Sequence, residues 1–278
     1  MSRIARRFAE LKDNGRAAFI PFITAGDPDW ETSVAILGRL PSAGADLIEL
    51  GVPFSDPMAD GPAIQASSLR ALESGVTVGG VLKLVWRFRE RDKNTPIILM
   101  GYFNPIHAYG VERFASDAAS AGVDGLITVD LPPEEDEVLR VPANRNGLDI
   151  IRLATPTTDD NRMATILSGA TGFLYYVSIA GVTGTKSYTE ASVRSAVSRL
   201  KRQSGIPCAV GFGIATPGQA RAVAGFADAV VVGSAIINHI AEGIKNRKAN
   251  AEIVEEAVGF CKVLADSVHV ARATAVVE

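Results

Sequence analysis

Eight short apolar runs alternate with longer amphipathic stretches along the whole chain, and this alternation limits the possible folds more than any other feature. The runs are "AAFIPFIT" (17–24), "DLIELGV" (46–52), "PIILMGY" (96–102) and "GLITVD" (125–130). They continue with "LDIIRLA" (148–154), "GFLYYVS" (172–178), "PCAVGF" (207–212) and "DAVVVGS" (228–234). Their length and β-branched content favour buried strands over helix fragments. Helical spacing marks 29–40, 62–73, 78–92, 111–120, 134–146, 159–168, 190–203, 216–224, 234–244 and 251–267. Strand–helix alternation of this kind reads as parallel βαβ units. The expected fold is α/β, a single (β/α)8 TIM barrel over residues 1–278 with extra helices; a doubly wound open sheet is the alternative.

An internal echo supports the repeat. "AGADLIEL" begins at Ala43, "AGVDGLITV" at Ala121 and "AGFADAVVV" at Ala224. Each predicts a helix ending at glycine in a left-handed cap, then an Asp leading into a buried strand. The opening 1–15 places Ile4, Phe8 and Leu11 at helical spacing and lacks a signal peptide's apolar centre, so it reads as a helix packed on the fold. A cytoplasmic location is expected. Cys208 and Cys261 stand in no motif and read as reduced core thiols. With 28 basic residues against 31 acidic ones and no basic stripe, nucleic acid is a poor partner. The longest apolar runs, such as 229–237, fall well short of the ~18 residues a membrane span needs.

In a barrel, active-site groups stand at the C-terminal ends of the strands and in the following loops. The ends here are Thr24, Glu49, Met100–Tyr102, Thr128–Asp130, Ala154, Tyr175–Ser178, Gly211–Gly213 and Gly233–Ser234. The last two bring small residues to a strand end before a helix, where backbone N–H groups favour anions. Phosphate binding is one reading of them; tight turns alone are the other. In "DLIEL", alternation puts Leu47 and Glu49 on one face and Ile48 and Leu50 on the opposite one. If Ile48 and Leu50 face the helices, Glu49 points into the barrel mouth, where scarce water raises a carboxyl pKa toward the acid/base range. A solvated ion pair is the competing reading, but no Lys or Arg lies between Arg39 and Arg70.

Asp56 and Asp60 follow on a loop, 53–60, stiffened by proline; such carboxylates are ordinarily solvated, but here their directions are fixed. No strand ends in Lys, which argues against a Schiff base, and His107, His239 and His269 lack metal-ligand spacing. No metal is expected. What remains is carboxylate chemistry on a phosphorylated small molecule. The stretch 179–190, rich in Gly and Thr, suits a mobile lid, with an ordinary polar loop as the alternative.

"ELGVPFSDPMADGPAIQ", "GYFNPI", "DLPPEE", "GVTG" and "GFGI" occur in the order found in the α subunit family of tryptophan synthase, which the chain resembles from 21–28 to 230–237. The resemblance implies a barrel that cleaves indole-3-glycerol phosphate to indole and glyceraldehyde 3-phosphate. It implies Glu49 as principal acid/base and Asp60 as partner of the indole N–H. Phe22, Met100, Tyr102, Ile127, Val129 and Tyr175 fall where the family lines its indole pocket. Gly184, Phe212, Gly213, Gly233 and Ser234 fall on its phosphate positions, and Thr183 would order the lid against Asp60.

The resemblance further implies a pyridoxal-phosphate β subunit that receives indole in an αββα assembly, with no cofactor in this chain. Pro53, Asp56, Pro57 and the "YFNPI" segment would face that subunit. Two rivals use the same motifs: a stand-alone lyase releasing indole, and a non-catalytic subunit that binds a phosphorylated ligand. The presence of both Glu49 and Asp60 argues against the second.

Overall fold

A computed structural model describes residues 1–178, 189–211 and 213–272. The first half holds α1 (Arg3–Asp13), β1 (Ala18–Thr24), α2 (Trp30–Arg39), β2 (Ile48–Gly51), α3 (Pro62–Glu73) and α4 (Val78–Arg89). It continues through β3 (Ile97–Gly101), α5 (Phe103–Tyr109), α6 (Val111–Ala121), β4 (Gly125–Thr128) and α7 (Glu137–Arg145). Then come β5 (Asp149–Ile150), β6 (Arg152–Ala154), α8 (Asp160–Leu167), β7 (Leu174–Val177) and α9 (Glu190–Ser204). The chain ends in β8 (Cys208–Gly211), α10 (Pro217–Ala224), β9 (Ala229–Val232), α11 (Ser234–Lys245) and α12 (Asn250–His269).

All strand pairs are parallel, in the order β5-β4-β3-β2-β1-β9-β8-β7-β6. The two ends of that ladder, β5 and β6, are separated only by Ile151, so the sheet curls into a barrel and the open-sheet alternative falls. The expected fifth strand is thus one run in two halves. Its first half pairs with β4 and its second with β7. Strand stagger in a closed barrel explains the division: a short tilted strand meets one neighbour low and the other high. Ile151 N–H still donates to the Leu126 carbonyl at 3.0 Å.

Two layers of core follow from the pleat. Ile20, Leu47, Ile98, Ile127, Ile151, Phe173 and Tyr175 fill the barrel interior. Ile48, Leu50, Ile97 and Leu99 instead pack outward with residues of the surrounding helices. Helix α1, capped by the Ser2 side chain, sends Ile4, Phe8 and Leu11 into the interior cluster and closes the barrel floor. Phe8 lies 5.6 Å from Phe173, ring centre to ring centre.

The three echoed aspartates make one repeated device. Asp46 N–H donates to the Phe19 carbonyl at 2.9 Å, and its carboxylate accepts Phe19 N–H at 2.9 Å. Asp124 does the same with Ile97, and Asp228 with Cys208. Each carboxylate also meets basic side chains: Arg16 and the His269 ring at Asp46, Arg3 and Arg89 at Asp124, Lys201 and Arg272 at Asp228. The expected left-handed cap occurs at Gly122 (φ +95°); Gly44 is also left-handed at φ +96°, but it lies in the turn after α2, whose C-cap is Leu40. Gly225 is right-handed at φ −63°, because "AGFAD" has one more residue before its Asp than "AGAD".

Three helices depart from expectation. Helix α5 was not foreseen: seven residues with Pro105 carry little periodicity, yet proline is tolerated in a first turn. Helix α4 stops at Arg89 rather than 92, where the Asp92 carboxylate takes up the Asn94 and Thr95 N–H groups in a turn. Helix α7 spans 137–145 rather than 134–146.

Candidate active site

Glu49 sits in register between Phe22 of β1 and Ile98 of β3, on the interior face, two residues beyond core Leu47. It is 2% exposed. Burial, and then the nearby charge of Asp60, push its pKa up to about 8. A carboxyl so placed holds its proton at neutral pH yet can release it within the working range of an acid/base.

Asp60 reaches the same space from the loop before α3, whose first turn opens with Gly61 and Pro62. Burial raises its pKa, and the Tyr102 hydroxyl beside it acts in the opposite direction. Tyr102 is almost fully buried just beyond β3, with its own pKa pushed up to about 12, mainly by burial. Tyr175, on β7, stands near Glu49; burial first and Glu49 second hold its hydroxyl protonated. Two carboxyls and two phenols therefore share the top of the barrel.

The apolar wall is built by register. Met100 of β3 pairs with Ile127 of β4, and both belong to the interior packing along with Val129. Phe22 lies over glycine: a Cβ on Gly51 would come 2.6 Å from its Cζ, and one on Gly233 would come 3.3 Å from its Cβ. A Cβ on Gly211 would collide with the Tyr175 hydroxyl. Gly211 and Gly51 thus make room for aromatic rings, a role missed in the sequence; their position as the last residue of a strand was the available signal.

Gly213, with φ +76°, follows β8, and Gly233 and Ser234 lead from β9 into α11. These segments are adjacent because β8 pairs with β9. Helix α11 presents free N–H groups at the same barrel end as Glu49, an arrangement suited to an anion. Thr183, Gly184 and Phe212, with most of 179–190, lie outside the described residues. Among the described residues, no group of three or more His, Cys, Asp or Glu could hold a metal ion.

Residues 8–268 match the family model described as tryptophan synthase alpha chain. A crystal structure of tryptophan synthase subunit alpha from Legionella pneumophila str. Paris superposes with a TM-score of 0.89 at 42% identity, covering 96% of this chain and 98% of that one. A crystal structure of tryptophan synthase from M. tuberculosis, in an aminoacrylate-bound form, gives 0.85 at 34% identity, covering 97% and 100%. A structure from Aquifex aeolicus VF5 gives 0.86 at 33%, covering 97% and 100%.

Proposed function

The chain belongs to the tryptophan synthase alpha chain family, an enzyme of tryptophan biosynthesis, and from that premise we propose that it cleaves indole-3-glycerol phosphate in a retro-aldol reaction. The observation that carries this reading is Glu49: a buried carboxyl with a pKa of about 8, facing the barrel mouth opposite a second carboxyl, Asp60. Protonated Glu49 gives its proton to indole C3. The ring becomes an indolenine whose C=N⁺ is the electron sink. Glu49, now a carboxylate, takes the proton of the glycerol hydroxyl next to the ring. The hydroxyl carbon becomes the aldehyde of glyceraldehyde 3-phosphate, the C–C bond breaks, and its electron pair restores the aromatic indole. The proton count closes with Glu49 protonated again.

Asp60 accepts the indole N–H and stabilises the positive charge that grows on nitrogen. Phe22, Met100, Tyr102, Ile127, Val129 and Tyr175 enclose the ring. Gly213, Gly233 and Ser234 receive the phosphate, helped by Gly184 and Phe212, and Thr183 orders the 179–190 lid. The chain needs no cofactor of its own. Its partner is a β subunit carrying pyridoxal phosphate, in an αββα assembly in the cytoplasm, and loop 53–60 faces it. Met58 in that loop, 84% exposed, supports a docking role. No described helix is long and apolar enough to cross a membrane.

The test is indole release from indole-3-glycerol phosphate by the purified chain, with and without β subunit. Slow release that accelerates with β is expected; a rate indifferent to β returns the stand-alone lyase. Glu49→Gln should lower the rate by roughly 10²–10⁴-fold, the range for a lost general acid/base, while a glycerol-phosphate analogue still binds. Near-normal turnover in that variant removes Glu49 from the chemistry.

A further inference from the structure

We infer that Tyr102 is a positioning residue that clamps the carboxylate loop at both ends, its ring on the start of the loop and its hydroxyl on the finish. The inference rests on the lyase reading above and adds to it a cause for the direction in which Asp60 points. At the start of the loop, the Phe54 ring packs on Tyr102 with centroids 5.3 Å apart and planes tilted by 33°. At its end, Ala59 N–H donates to the Tyr102 hydroxyl oxygen at 3.1 Å. The residues so tied are five apart, and the segment between them holds Pro57 and the exposed Met58.

A phenol oxygen that accepts an N–H keeps its own proton free to donate. The acceptor beside it is the Asp60 carboxyl, whose pKa that contact draws down against the effect of burial. One hydroxyl therefore fixes the backbone before Asp60 and favours the ionised form of Asp60, the form that accepts an indole N–H most strongly and offsets positive charge on its nitrogen.

Tyr102 is itself held from behind. Asp130, just past β4, accepts the N–H of Phe103 at 2.8 Å, which pins the first turn of α5 immediately after Tyr102. A line of contacts thus runs from the end of β4 through Tyr102 to the catalytic loop. The charged and titratable groups facing this pair are Glu49 of β2 toward Asp60, Asp130 toward Tyr102, and Tyr175 of β7 toward Glu49. None of them is a cation that could replace the hydroxyl in holding Asp60 ionised.

The experiment is amide hydrogen exchange across 53–60 together with pH–rate profiles, on the native chain and on Tyr102→Phe. In the native chain, Ala59 N–H should be protected; exchange at the rate of a free loop amide overturns the clamp without any variant. Tyr102→Phe keeps the ring and its Phe54 contact, so the fold should survive. Loss of the hydroxyl should speed Ala59 exchange and lower kcat, each roughly tenfold, with KM changed less than about twofold, the scale of one hydrogen bond. The acidic limb of the kcat profile should move to higher pH, because Asp60 loses the group that lowers its pKa. A raised KM with an unmoved limb and unchanged exchange reduces Tyr102 to a pocket wall and overturns the inference. The exchange readout needs no substrate. A native chain that fails to cleave indole-3-glycerol phosphate would refute the lyase reading and leave the clamp to be decided by Ala59 alone.

Discussion

Burial keeps Glu49 protonated at neutral pH and, by the same cause, makes it a cost to the fold in base. Its folded pKa of about 8 lies above the ordinary 4.5. Between those values the folded chain keeps a proton that the unfolded chain has released, so raising the pH removes stability, by about 1.4 kcal/mol per unit. Glu49→Gln cannot ionise. Urea midpoints of the two proteins should therefore diverge in favour of the variant from about pH 5 to about pH 9; a constant difference would contradict the burial argument. Turnover by the native chain should decline above about pH 8 as the donor empties. A second prediction concerns space. Gly51→Ala must displace the Phe22 ring, at the ~1–3 kcal/mol typical of overpacking, and should weaken substrate binding alongside. An unchanged denaturation midpoint would show that the ring moves freely. At this scale the sequence revealed Glu49, because a carboxyl in an alternating apolar run betrays its face. It did not reveal Gly51, Gly211 or the Tyr102–Ala59 contact, because these depend on the register between neighbouring strands and on where a loop folds back, which no single run of sequence encodes.

The strands are registered by aspartates as well as by their own ladders. Asp124 is the most enclosed of the three cation-paired clamps in its surroundings, since its partner Arg89 is itself 5% exposed. Burial pulls the Arg89 pKa down while Asp124 holds it up. Asp124→Ala leaves that guanidinium without its carboxylate and should cost about 3–5 kcal/mol, the range for one half of a buried pair. Asp228, whose side chain is 23% exposed beside a partly solvated Lys201, should cost clearly less on the same change. Equal losses in denaturant unfolding would mean that the accepted strand N–H, common to both, outweighs the cation. Most elements were legible before the structure because period and length agree in them. The exceptions have local causes: α5 is too short to show a period, and the Asx turn at Asp92 ends α4 early. The division of the fifth strand depends on stagger between neighbours, which no single strand encodes.

Seen as a whole, the barrel brings the two ends of the chain together through the pairing of β1 with β9. β1 lies between β2, its neighbour in sequence, and β9, with Ala18 opposite Ala229. A chain ended after residue 224 keeps β1 through β8 but lacks β9, α11 and α12. Both β1 and β8 would then present unpaired edges, and the fragment should aggregate or unfold without cooperativity while the full chain stays monodisperse on its own. A soluble, cooperatively melting fragment would show that the sheet tolerates an open seam. The same seam bears on how the protein is made. Ribosomes add roughly 5–20 residues per second, so β1 waits on the order of 10–40 s for a partner synthesised 211 positions later, from Ala18 to Ala229. During that interval its apolar edge and the hollow that α1 is meant to plug face the crowded cell, which makes the nascent chain, rather than the finished barrel, the form most in need of a chaperone.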